Sequence, residues 1–254
     1  MNTGAATSAL GIDIGGSGMK AAPIDIATGE LLAPRLRIET PSSASPAAMI
    51  PVVTRLLEHF VWQGPVGITF PGVVRQGTTL TAANLHPDWV GLDAAGTFAE
   101  LIGHRPIVVN DADAAGVAEA RFGAAREVEG VVVLLTLGTG IGTALLNDGV
   151  LVPNIELGHL VIDGYDAESR AAASVRERED LGWREYSARL TRYLNELERL
   201  LWPDLFVVGG GISEKFDKFG PRLEISTPIV PAVLKNRAGI VGAAVLAAER
   251  STLP

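Results

Sequence analysis

The chain has 254 residues, a formal net charge of −8 and no cysteine. That length suffices for two modest lobes with sizeable cores, and the acidity argues against general nucleic-acid or anionic-membrane binding while leaving room for a local basic groove. Without cysteine there are no disulfides, no thiol nucleophiles and no thiolate metal sites.

Met1 to Ser8 carries no basic residue and no apolar core, so it does not read as a signal peptide, and the expected setting is cytoplasmic. Leu10 to Ile14 is an apolar run interrupted by one carboxylate, Asp13, and followed by Gly15-Gly16-Ser17-Gly18. Met19 to Ile24, closed by Asp25, reads as a second strand, and Leu31 to Glu39 as a third. Ser45-Pro46 is a helix-start signal, and Ile50, Val53, Leu57, Phe60 and Val61 then share one helical face up to Trp62. Val66 to Phe70 is a short buried strand ending at Pro71-Gly72. Val73 to Thr81 is a hairpin turning at Gln76-Gly77, and Asn84 to Val90 is a loop. Ala94 to Ile102 is a short helix. Pro106 to Val109 is another apolar strand, which delivers Asn110-Asp111-Ala112-Asp113 ahead of an alanine-rich helix to Phe122.

Val131 to Leu146 repeats the opening pattern: an apolar strand, then Gly138-Thr139-Gly140-Ile141-Gly142, then a second strand. It is too short and too glycine-broken for a membrane span. Asn147-Asp148-Gly149 is a hairpin turn before Val150 to Val152. Glu168 to Trp202 is largely helical with a break near Gly182, and Leu190, Tyr193, Leu194, Leu197 and Leu201 form an apolar stripe suited to a core or a dimer surface. Leu205 to Val208 is a strand running into Gly209-Gly210-Gly211. Pro228 and Pro231 mark irregular structure, and Ile240 to Glu249 is an amphipathic terminal helix. The order β-β-β-α-β-α in each half predicts two α/β lobes with a cleft between them: residues 1–112, completed by a terminal helix at 239–254, and residues 113–238.

The glycines suggest chemistry. Backbone N–H groups hold phosphate, and they approach closely only where no Cβ intervenes and positive φ is allowed. Both glycine turns lead into strands rather than helices, which excludes a Walker loop and a dinucleotide fingerprint. One such loop alone reads as an ordinary tight hairpin; two at matching places favour phosphate. Asp111, after a buried strand, is placed to take a proton from a substrate hydroxyl, or simply to cap the following helix. Asp13 suits water-mediated Mg²⁺ beside a phosphate loop, or a cap on the glycine turn. Glu156 and His159, three apart, would face one way on a helical turn and suit adjacent sugar hydroxyls; a lone core histidine is the simpler alternative. The other histidines are scattered, so no metal cluster is expected. Gly209, Gly210 and Gly211 would admit a flat ring such as adenine, or merely turn the chain. Lys215, Lys218, Arg222, Lys235 and Arg237 make a local basic segment, readable as a solvated face or as a path for a polyanion.

Taken together, residues 11–20, 109–113, 137–142 and 156–159 resemble the ROK family of sugar kinases and repressors, which has the duplicated actin/hexokinase-like (ribonuclease H-like) fold. The G-I-D-I-G-G-S-G and V-N-D-A-D-A-A forms resemble its branch of polyphosphate glucokinases and polyphosphate/ATP glucomannokinases. The resemblance implies phosphorylation of glucose, with mannose as a second candidate, at the 6-hydroxyl from polyphosphate or ATP with Mg²⁺, by a monomer or homodimer. It makes Asp111 the general base and places Asn110, Glu156, His159 and Glu168 on the other sugar hydroxyls, with Gly72 and Asn84 nearby. It puts Gly15, Gly16, Ser17, Gly18, Lys20, Gly138, Thr139 and Gly140 around phosphates, and Gly209 to Gly211 against adenosine. The cysteine-rich zinc motif that follows E-x-G-H in many ROK proteins is missing from Leu160 to Ser174, so no zinc is expected and the position of Glu168 is shifted. The alternatives are an ATP-only hexose kinase of broader range, a sugar-binding regulator and a nucleotide switch. A ROK repressor needs a helix-turn-helix ahead of a strand that here begins by Ala9, and a switch needs no set of sugar-hydroxyl partners.

Overall fold

Two five-stranded sheets with the same strand order carry the fold. They belong to a computed structural model that describes residues 6–83 and 85–251. The first sheet contains β1 (Ser8–Ile14), β2 (Met19–Asp25), β3 (Leu36–Ile38), β4 (Val66–Phe70) and β5 (Ile107–Asn110), in the order β3-β2-β1-β4-β5. The second contains β6 (Val131–Leu137), β7 (Ile141–Asn147), β8 (Val150–Val152), β9 (Leu205–Gly209) and β10 (Ile229–Pro231), in the order β8-β7-β6-β9-β10. In each, the first three strands form an antiparallel meander and the last two run parallel to the first. The chain divides into two compact units, Met1–Ala118 with Arg237–Pro254, and Glu119–Asn236.

The helices start and stop where local chemistry allows. In α1 (Pro46–Phe60), the Ser45 hydroxyl accepts from the Ala48 N–H and Pro46 stands where no donor is needed. In α2 (Ala94–Ile102), the Asp93 carboxylate accepts from Gly96 at 2.9 Å, and Gly103 ends the helix in the left-handed region at φ 84°. The other long helices are α3 (Asp111–Phe122), α4 (Trp183–Leu201) and α5 (Ala238–Arg250).

Four expectations change. The third strand shrinks to Leu36–Ile38, because Pro34 cannot donate to the ladder; Leu31 keeps one isolated bridge to Ile24. The segment around Pro228 and Pro231 is not irregular but forms β10, an edge strand, where a missing N–H costs nothing. The helical stretch from Glu168 breaks into Glu168–Ala171 and Ala173–Arg178, split by the extended backbone of Ala172, before α4. The terminal helix α5 is not amphipathic: Ala238, Ile240 to Val245, Ala247 and Ala248 are all buried.

Small residues explain the burial of α5. It lies on β1 and β4, where Gly11 and Gly67 are cross-strand partners. A Cβ on Gly11 would run into the Ile240 carbonyl, and one on Gly67 into the Ala243 carbonyl. Gly242 in turn lies against the Ala114 carbonyl of α3. The helix backbone therefore rests directly on the sheet. The other face of this sheet carries Leu10, Ile12, Ile14, Ile68 and Phe70, packed with Met49, Val53 and Leu56 of α1.

In the second unit, α4 buries Tyr186, Leu190, Tyr193, Leu194 and Leu197 against Val133, Leu135 and Leu137 of β6 and Phe206 and Val208 of β9. The apolar stripe of α4 is thus core, each large side chain contributing roughly 1.5–3 kcal/mol by leaving water. Near its end, α3 carries a fully buried acid, Glu119, whose carboxylate accepts from the N–H groups of Ala124 (2.7 Å), Val233 (3.1 Å) and Leu234 (2.7 Å). Among the described residues, no helix is long and apolar enough to cross a membrane.

Candidate active site

In the first unit, the chemistry gathers at the carboxyl ends of the three parallel strands, where α/β sheets present ligand-binding groups. The register sets Asp13 beside Thr69 and Phe70 beside Asn110. Asp13 is held on both sides: Thr69 donates to Oδ1 at 2.8 Å, and the Lys20 ammonium meets Oδ2 at 3.1 Å. Both oxygens keep lone pairs, so the donor set fits a contact to Mg²⁺ through water rather than an all-protein cage.

Asn110 has local bonds that the sequence does not announce. Its Oδ1 accepts from the N–H groups of Ala112 (2.8 Å) and Asp113 (3.0 Å), and its amide donates to the Gly72 carbonyl at 3.1 Å. Asn110 therefore caps α3 and ties down the Gly72 turn. Gly72 itself is required because a Cβ there would press on the Thr81 carbonyl at 2.5 Å. The Ala112 N–H also donates to Asp111 Oδ1 at 2.9 Å, and Asp111 is half-buried at the head of α3. Asn84 lies outside the described residues.

The first glycine turn closes with Gly15 donating to the Gly18 carbonyl at 3.2 Å. The residue that sequence reasoning misses is Arg37 on β3: its guanidinium donates to the Ser17 carbonyl at 2.9 Å and fills the space a Cβ on Gly18 would need. A cation thus braces this loop. Gly15, Gly16, Gly18, Gly138 and Gly140 all lie outside the left-handed region, contrary to the positive-φ expectation. What their lack of a side chain provides is access: around Gly16 and Gly138 a Cβ would meet only open space.

In the second unit, the groups expected around the sugar and the second loop converge. Glu156 precedes a 3-10 turn, Leu157–His159, in which residues three apart lie above one another. Gly158 lets this turn sit on β7, since a Cβ would collide with the Ile141 carbonyl. The Thr143 hydroxyl fixes the approach, donating to the Ile155 carbonyl and accepting from the Leu157 N–H at 3.1 Å. His159 is an exposed side chain, not a core histidine, and its Nδ1 is 2.9 Å from an Asp166 oxygen. That contact raises the His159 pKa above 6.5, with burial opposing and Glu168 and Glu156 assisting. Nothing in the sequence singles out Asp166, which lies in the stretch where many ROK proteins carry the zinc motif. Its second oxygen accepts from the Glu168 N–H at 3.0 Å. Glu168 then braces the glycine loop, accepting from Ile141 at 2.8 Å, while Ser174 donates to the Thr139 carbonyl at 2.6 Å. Among the described residues, no three histidines or acids are disposed to hold a metal ion.

Gly209 ends β9. Gly210 is left-handed at φ 78°, where a Cβ would strike Leu137, and Gly211 stands open at the start of a short 3-10 helix.

Residues 9–177 match the model of the ROK family. The chain belongs to the ROK family. It is 48% identical over 244 residues to the polyphosphate glucokinase of Mycobacterium tuberculosis, covering 96% of this chain and 92% of that protein. It superposes with a TM-score of 0.91 on the inorganic polyphosphate/ATP-glucomannokinase from Arthrobacter sp. strain KM, at 47% identity, covering 96% of this chain and 100% of that one. A ROK family glucokinase from Streptomyces griseus, solved with glucose and AMPPNP, shares the fold at a TM-score of 0.82 and 23% identity, covering 95% of this chain and 99% of that one. The duplicated sheets are those of the actin/hexokinase-like fold of this ROK protein's relatives.

Proposed function

We propose that the protein transfers the terminal phosphoryl group of inorganic polyphosphate, or the γ-phosphoryl group of ATP, to the 6-hydroxyl of glucose. The observation that carries this is Asp111: a carboxylate at the head of α3, at the strand ends where Asp13 also lies, with its helix already capped by Asn110. The chain's relatedness to polyphosphate glucokinases supports the same reading.

The reaction divides as follows. The glucose O6–H proton passes to the Asp111 carboxylate as O6 forms a bond to phosphorus. The bond from phosphorus to the bridging oxygen breaks, and its electron pair stays with the shortened chain or with ADP. A positioned base of this kind is worth roughly 10²–10⁴ in rate. Asn110 acts as a positioning residue that fixes the start of α3. Glu156 accepts hydrogen bonds from the remaining sugar hydroxyls, and His159 meets them through Nε2, an acceptor in the neutral ring and a donor in the protonated one, Asp166 holding the imidazole in that orientation. The backbone N–H groups of residues 16–18 and 139–140 bind donor phosphates, the Gly15 and Gly138 N–H groups being used to close the two turns. Mg²⁺, held through water at Asp13, would neutralise charge on the transferring group.

The test is glucose 6-phosphate formation by the purified protein with Mg²⁺, supplied with either long-chain polyphosphate or ATP. Product from polyphosphate is the expected outcome. No product from either donor would overturn the reading. Mannose is proposed as a second acceptor on the likeness to the glucomannokinase, and replacing glucose in the same assay tests it.

A further inference from the structure

Beside the second glycine loop lies a cavity of about 220 Å³, lined by Gly138, Thr139, Ser174, Arg176, Gly211 and Lys215, with Trp183 and the exposed carboxylate of Glu177 on its wall. Three observations single out Arg176. Its guanidinium carbon lies 3.8 Å from the centre of a Trp183 ring. Trp183 is itself fixed, stacked on Phe219 at 6.1 Å and 15°. The Arg176 Nε is buried and finds no hydrogen-bond partner among the described residues. A cation pinned on an indole with a donor left unsatisfied is arranged for an anion, and the planar guanidinium matches phosphate oxygens in pairs.

The size and the stacking bear on which anion. Pockets for whole small-molecule ligands generally run roughly 300–1,000 Å³, so this one is small for a nucleoside. The indole face on which a purine would stack already carries Arg176. A chain of phosphates needs neither the volume nor the ring face. Lys215 on the wall, and Lys218 with its ammonium 5.9 Å from the Trp183 ring centre, bring the start of the basic segment to this cavity.

We infer that Arg176, held by Trp183, binds a phosphate of the donor chain beyond the one transferred, and thereby sets the preference for polyphosphate over ATP. This rests on the kinase reading above. It makes Arg176 a specificity-determining residue and Trp183 its positioning partner.

The experiment measures KM and kcat for Arg176→Ala and Arg176→Lys with long-chain polyphosphate and with ATP, at saturating glucose. Losing a charge-assisted contact is expected to raise the polyphosphate KM by about tenfold or more. The ATP KM should stay level or fall, because the indole is uncovered, and the glucose KM should not move. Arg176→Lys, which keeps the charge but not the planar fork, should fall between. Equal rises for both donors, or an unchanged polyphosphate KM, would overturn the assignment. Titration calorimetry of the unsubstituted protein and Arg176→Ala with long-chain polyphosphate, and with ADP, reads the same contact independently of turnover. Should the unsubstituted protein make no product from either donor, the kinase reading falls, while a tenfold loss of polyphosphate binding in Arg176→Ala would still uphold the anion site. Unchanged binding would remove it.

Discussion

The two sheets can be laid over one another by their hairpin ends, Ile14 paired with Met19 in one and Leu137 with Ile141 in the other. Gly11 and its partner Gly67 then coincide with Leu134 and its partner Val207, and Asp13 coincides with Thr136. One face of one topology is built in opposite ways. In the first unit, absent side chains let α5 rest its backbone on the sheet. In the second, buried Leu134 and Val207 fill the matching positions. The glycine turns diverge in the same manner, the first braced by the cation Arg37 and the second by the anion Glu168. Strand order survives duplication because it is set by connections, whereas packing and charge at each position are free to separate.

The largest effect should expose that separation at the chemical step. Asp111→Asn is expected to lower kcat by about 10²–10⁴ while calorimetry still detects glucose binding. Near-normal turnover would show that the base is elsewhere. Next comes the packing contrast. Gly67→Val should destabilise the protein by about 3 kcal/mol through overpacking against Ala243, and Val207→Ala by about 2 kcal/mol through a cavity. Urea unfolding reads both, and a tolerated Gly67→Val would refute the backbone-on-backbone contact.

Those glycines also mark the boundary between what is local in the sequence and what is not. The hairpins, the cap at Ser45 and the placing of Asp13, Asp111 and His159 were legible because each depends on residues adjacent in sequence or on a turn with few chemical solutions. The burial of α5 was not, because its pattern of small residues makes sense only beside Gly11 and Gly67, more than 170 residues away. Asp166 and Arg37 escaped for a similar reason: a lone charge reads as solvated until the atom it faces is known. β10 was hidden by its prolines, which are tolerated only at an edge that the sequence does not mark. The capping role of Asn110 was equally hidden, since one amide can cap a helix or meet a ligand and the sequence marks only the second.

A smaller effect should come from the two braces. Glu168→Ala and Arg37→Ala are each expected to raise the donor KM by roughly three- to tenfold, through loss of a charged hydrogen bond to a loop. If only one does, the loops do not share the donor. The smallest is a titration. The His159 pKa lies above 6.5 because its protonated form is bonded to Asp166. Raised pKa means that this pair stabilises the fold fully below pH 6.5 and loses that contribution as pH rises through the native midpoint. NMR titration should show Asp166→Asn moving the His159 midpoint down, and an unmoved midpoint would dissolve the pair.

The position of α5 in the first unit also bears on the order in which the protein is made. The first sheet leaves the ribosome before the second unit, whereas the helix that covers Gly11 and Gly67 follows the second unit in the chain. At about 5–20 residues per second, the sheet waits on the order of ten seconds with that face uncovered. The second unit, continuous in sequence, can finish meanwhile. Nascent chains halted before Arg237 should be cut by protease in the first unit and resist it in the second; equal resistance would contradict this order. Of the two units, the one begun first is completed second.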